Sequence, residues 1–172
     1  MPKVDREKAP RSERQAYPGA LIHRTDGCWK TRLGDQLGLT QIGVGEVELA
    51  PGSATGLLHW HLDEDEFIYV LSGEVTLVEE SGETILRPGD CAGWRAGVPV
   101  GHTIENRTAE PARILEIGPR TAPEDTAYYV NLDMQYRRVD RRISFHTRDG
   151  TPLSPEATVA PFDDGRPEDR TG

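Results

Sequence analysis

Four side chains in this 172-residue chain could act together at one centre, namely His59, His61, Glu66 and His102. Side chains on a β-strand alternate between faces, so His59 and His61 point the same way, roughly 6.6 Å apart along a strand. Two imidazoles at that separation converge on one ion held above the strand. Glu66 follows after the short run Leu62-Asp63-Glu64-Asp65. Imidazole nitrogens with one carboxylate oxygen suit a single divalent ion: zinc, iron, manganese, nickel or copper. Asp63, Glu64 and Asp65 are expected in an exposed turn, with Asp65 as the competing oxygen donor.

Strands must carry these residues, and the chain supplies them. Residues 40–49, 57–62, 66–71, 74–79, 83–87, 91–94, 102–106 and 113–117 are apolar or alternating runs bounded by glycine or proline. Residues 20–23 read as a first edge strand, 28–30 as a second segment and 33–39 as a loop or single helical turn. Pro123-Glu124-Asp125 reads as a brief loop, 126–136 as one strand crossing the sheet, and 143–146 as another. Short strands at this spacing, with no long helix, indicate an all-β sandwich or barrel. Alternation from Glu66 places Ile68 and Val70 beside the histidines and predicts an apolar pocket there. Phe67, Tyr69 and Leu71 then face outward and need cover, from the N-terminal segment or a second subunit.

His59-x-His61-x(4)-Glu66-x(6)-Gly73 resembles the first motif of the cupin superfamily. Gly89-Asp90-Cys91-Ala92-Gly93-Trp94-Arg95-Ala96-Gly97 with His102-x(3)-Asn106 is similar to the second. Arg95 stands where a proline is usual, and two extra residues separate Gly97 from His102. The resemblance, to small single-domain bacterial cupins, covers residues 20–147. It implies a jelly-roll β-barrel with His59, His61, Glu66 and His102 as ligands of one metal ion. It also implies a homodimer with exchanged edge strands. No internal repeat is visible, so one barrel is expected.

The domain organisation expected is a flexible N-terminal arm (1–18), the barrel (19–147) and a disordered tail rich in Pro, Gly and acids (148–172). Mean hydropathy is −0.60, low for a chain that is globular throughout, and disordered ends would account for it. A net charge of −9 argues against nucleic acid as partner. Arg137, Arg138, Arg141 and Arg142 are expected on a solvated strand edge. The chain has no apolar run of membrane-spanning length and begins with a charged segment, so no membrane partner and a cytoplasmic location are expected. Two cysteines are too few for a disulfide scaffold. Cys91 is expected as a small buried hydrophobe, and His23 as a surface residue.

With three or four protein ligands, the ion keeps positions open for water or substrate. Trp94, Arg95 and Tyr69 are candidates to surround it, as are Tyr128, Tyr129 and Tyr136. Arg95 could hold a substrate carboxylate, and Asn106 supports its loop. The function expected is a metal-dependent enzyme acting on a small carboxylate or carbonyl compound, with dioxygenase, lyase and isomerase chemistry all open. The alternative is a non-catalytic metal-containing binder or sensor of a small ligand.

Overall fold

The computed structural model describes residues 3–14, 17–120, 124–139 and 142–161. Among the described residues, thirteen strands build two antiparallel sheets, as the all-β expectation requires. The first sheet has the order β1 (Arg11–Glu13), β2 (Cys28–Thr31), β3 (Ile42–Leu49), β10 (Ala112–Pro119), β5 (Glu66–Ser72), β8 (Cys91–Trp94). The second has the order β13 (Arg142–His146), β12 (Gln135–Val139), β11 (Glu124–Tyr129), β4 (His59–His61), β9 (His102–Glu105), β6 (Val75–Glu79), β7 (Gly82–Leu86). One short helix, α1 (Leu33–Gln36), joins β2 to β3.

Alternation decides what goes inside. On β5, Ile68 and Val70 are buried while Phe67, Tyr69 and Leu71 are exposed. Val47 and Leu49, Ile114, Val75 and Leu77, and Ile104 supply the matching inward rows of the core. Gly73 turns β5 into β6 with φ 77°, and a Cβ there would lie 2.8 Å from the Ala112 Cα. Only glycine combines that conformation with that approach.

Several expectations are corrected. Residues 20–23 lie in a 3-10 helix, Gly19–Thr25, rather than an edge strand. The free edge of β2 is taken by Arg11–Glu13, which pairs with Trp29–Thr31 and leaves no ladder for them. The described part of the N-terminal arm is therefore built into the fold. Arg6 Nε adds a 2.9 Å bond to Glu46, and Arg14 and Tyr17 reach into the interior.

Residues 126–136 are two strands, not one, with a reversal at 130–134 closed by Tyr129 N donating to Met134 O at 3.2 Å. That reversal contains no glycine or proline. Glu124 and Asp125 belong to β11 rather than to a loop, and Pro123 lies outside the described residues. Of the expected basic edge, Arg137 and Arg142 are exposed, Arg138 turns inward to Glu64, and Arg141 lies outside the described residues. The tail through residue 161 is also packed: Gly19 N donates to Pro155 O and Asp133 N to Ala160 O. Residues 162–172 of the expected tail lie outside the described residues. Cys91 is exposed on the outer face of edge strand β8, while Cys28 is buried. Among the described residues, no helix is long and apolar enough to cross a membrane.

Candidate metal centre

The site lies one layer beyond the core. Glu66 and His102 each begin a strand, and the next residues on the same face, Ile68 and Ile104, belong to the core cluster. His59 pairs directly with His102 across β4 and β9, and β4 is held on its other side by β11, with Tyr129 opposite His59 and Ala127 opposite His61. The pleat then turns His59, His61, Glu66 and His102 into one space. Ring centroids are 5.0 Å apart for His59 and His61 and 5.3 Å for His59 and His102. Donor atoms of His59, His61 and Glu66 all lie within 4.8 Å of one another. His102 joins them through Glu66, its Nε2 lying 2.7 Å from Oε2.

Each ring is anchored at the back by its other nitrogen. Nδ1 of His59 lies 2.6 Å from Leu57 O, that of His61 2.5 Å from Asp125 Oδ2, and that of His102 3.2 Å from Val100 O. Carbonyl and carboxylate oxygens only accept, so each Nδ1 donates to the oxygen behind it and leaves Nε2 facing the common space. For His61 and His102, Nε2 faces the Glu66 carboxylate, at 3.7 and 2.7 Å. That approach needs a positive charge between them, a proton on Nε2 or a metal cation in its place. The donor set therefore fits a cation, and the outward Nδ1 bonds are the orienting contacts that metal-bound histidines use.

The electrostatics agree. Burial pushes the His59 pKa down to about 4, so this ring is neutral near pH 7. Burial also opposes charge on His61, but the Asp125 hydrogen bond and the Glu66 charge outweigh it and raise its pKa. Burial works against ionised Glu66 as well, yet the His102 hydrogen bond and the neighbouring imidazoles hold its carboxyl far below the ordinary range.

Trp94 stacks on His102 and its Nε1 donates to Glu79 Oε1 at 2.8 Å. Tyr129 lies 5.8 Å from His59 and Tyr136 6.2 Å from His61, centroid to centroid. Tyr69 and Tyr128 do not join them. Tyr69 is on the outer face of β5, and Tyr128 faces outward against Trp60. Arg95 is exposed in the 95–101 loop. Asp65 is also turned away: its Oδ1 accepts from Ala96 N at 2.8 Å, pinning the two rim loops together. Asn106 supports its loop as expected, fully buried, donating from Nδ2 to Leu49 O and Glu110 O. His23 is exposed beside Asp26.

Several contributors were not visible in the sequence. Asp125 is buried against His61, and Glu64 turns inward to a 2.6 Å ion pair with Arg138. Burial and the Asp125 charge raise the Glu64 pKa. The expected apolar pocket is also charged in part: Arg14 and Lys30 both meet Glu116 on the inner face. Alternation from Val47 and Leu49 could have placed Lys30 and Glu116 inside, but Arg14 comes from a segment with no periodicity.

The cupin domain family matches residues 45–118. Among solved structures, a sugar phosphate isomerase of the cupin superfamily from Silicibacter pomeroyi is 43% identical, with 89% of this chain and 97% of that one covered and a TM-score of 0.85. The chain belongs to the cupin superfamily. Its fold is accordingly the jelly-roll barrel. A second cupin-like neighbour, a protein of Acidithiobacillus ferrooxidans proposed to be a sugar phosphate isomerase, is 28% identical over 74% of this chain and 80% of its own, with a TM-score of 0.66. A polyketide cyclase from Streptomyces resistomycificus shares the fold at 21% identity, 70% and 80% coverage and a TM-score of 0.56. No curated protein matches this cupin.

Proposed function

We propose that this cupin is a metal-dependent isomerase of a small phosphorylated sugar, with His59, His61, Glu66 and His102 holding one divalent ion. The observation that carries the metal site is the shared orientation of the three rings, each with Nδ1 tied to an acceptor behind it. The Silicibacter pomeroyi protein supports the reaction class, at 43% identity across nearly its whole length.

A bound divalent ion would polarise a carbonyl or hydroxyl oxygen of the substrate. The chain's own residues supply the rest. Moving a carbonyl along a sugar takes a proton from one carbon and returns it to the neighbouring carbon, while the hydroxyl proton passes to the former carbonyl oxygen, with no external oxidant. We assign that transfer to Glu64, which lies beside His61 and Asp125 and whose pKa is raised by burial and the Asp125 charge. Arg138 holds it in position. Trp94, Tyr129 and Tyr136 wall the site and limit water around the reacting carbons.

The test is metal content of untagged protein by mass spectrometry, beside a His59→Ala/His102→Ala variant, followed by turnover. Near-stoichiometric metal lost in the variant is expected, together with interconversion of a phosphorylated aldose and ketose followed by NMR in deuterated water. Glu64→Gln should keep the metal and lose the exchange. No metal after reconstitution would remove the site, and metal without interconversion on any phosphorylated sugar would remove the reaction.

The same reading includes a homodimer. Phe67, Tyr69 and Leu71 are 40%, 40% and 39% exposed on one sheet face, and the described part of the N-terminal segment pairs with β2 instead. A second copy is the proposed cover.

A further inference from the structure

Inside the barrel, next to the histidines, one carboxylate is shared by two cations. Arg14 and the Lys30 ammonium both bond Glu116 Oε2, the latter at 2.7 Å. Lys30 reaches it by lying across Gly45, where a Cβ would come within 2.6 Å of the Lys30 Cε. By contrast, Arg138 and Arg120 each meet a carboxylate of their own, Glu64 and Asp35. Here the pairing leaves a surplus positive charge in a partly desolvated place, which one carboxylate does not neutralise.

The donors are not used up. Among the described residues, Arg14 spends two of its five N–H groups, on Thr55 O and Glu116, and Lys30 one of its three. Both side chains keep 31% exposure, so an anion can reach them. The distance to the metal site is also set by the sheet. Glu116 is opposite Ile68 in the β10–β5 ladder, and Glu66 is the next residue on that face, roughly 7–8 Å away on the diagonal. A sugar chain can span that gap between its carbonyl end and its phosphate.

We infer that Arg14 and Lys30, held by Glu116, form the subsite for the phosphate of the substrate. This rests on the isomerase reading above and locates the charged end of its substrate. Arg14 and Lys30 together outnumber Glu116 by one positive charge, which complements an anionic phosphate. The phosphate would take the unused donors of both cations as charge-assisted hydrogen bonds.

The experiment is calorimetric titration of inorganic phosphate into the full-length protein, as purified and after chelation, so that phosphate on a metal ion is distinguished from phosphate on the cations. One saturable site in both forms is expected. Lys30→Gln should weaken it at least tenfold while the protein stays folded by circular dichroism, and Glu116→Gln should tighten it by releasing both cations. A merely structural ion pair predicts no such opposite signs. Absence of saturable binding in the wild type, or unchanged phosphate affinity in both Lys30→Gln and Arg14→Gln, would overturn the subsite. Phosphate binding that follows these variants in a protein that isomerises no phosphorylated sugar supports the subsite and removes only the isomerase reading. Turnover whose KM ignores Lys30→Gln overturns the subsite and spares that reading.

Discussion

Trp94 lies flat on His102, with 3.7 Å between ring centroids and 4° between planes. The two residues come from different sheets, β8 and β9, joined by the 95–101 loop. The stack, with the Trp94 Nε1 bond to Glu79, fixes the plane in which His102 offers Nε2. Contacts of this kind around a metal ligand typically carry about 10–100-fold in affinity. Trp94→Ala should therefore weaken metal binding by that order, and Trp94→Phe by less, because it keeps a ring over His102. Competition against a chromogenic chelator measures both, and wild-type affinity in Trp94→Ala would remove this role.

Asp125 does for His61 what the Leu57 carbonyl does for His59. Its carboxylate is buried with Oδ2 on Nδ1 and Oδ1 accepting from Asp63 N. Asp125→Asn keeps the shape and loses the charge. The His61 pKa should fall in the metal-free protein, since burial then meets less opposition. Metal affinity should drop about 10–100-fold. Histidine NMR titration reads the first effect and chelator competition the second; if neither moves, Asp125 is only structural.

Glu116 gives the fold a dependence on pH. Burial opposes its charge, but Arg14 and Lys30 overcome that and lower its pKa below the ordinary carboxylate value. A depressed folded-state pKa means that this stabilisation is present above the unfolded pKa and is lost as pH falls through the folded one. Glu116→Gln should thus be less stable than wild type at pH 7, and the gap should close as the pH drops below about 4.5. Urea denaturation at a series of pH values tests the sign. A gap that widens in acid would contradict the ion-pair account.

The outer face of β5 leads to a statement about assembly. Phe67, Tyr69 and Leu71 form a contiguous apolar row on one strand, an arrangement that soluble sheets usually cover. Tyr69→Lys should shift the protein towards monomer in light scattering coupled to size exclusion, with the metal content unchanged. A wild type that is monomeric at every concentration would leave the row without this role.

What the sequence determined by itself is the part governed by short-range periodicity. The period of two on β5 buried Ile68 and Val70 and exposed their neighbours. The His59-x-His61 spacing put two imidazoles on one side of β4, and Gly73 marked the turn that follows β5. These features depend on a few consecutive residues and on strand geometry, so they were legible. What the tertiary structure alone decided depends on residues far apart in the chain. Asp125 is sixty-four positions from His61, and nothing local distinguishes it from the exposed acids around it. Arg14 and Glu116 are one hundred and two apart, and they meet because β1 closes the free edge of β2 and draws the following residue inside. The reversal at 130–134 has Asn131 and Asp133 but no glycine or proline to mark it, and buried Met134 with the Tyr129 backbone bond closes it. Local alternation names the strands and two of the ligands; which distant charges stand behind them is settled only when the sheets close.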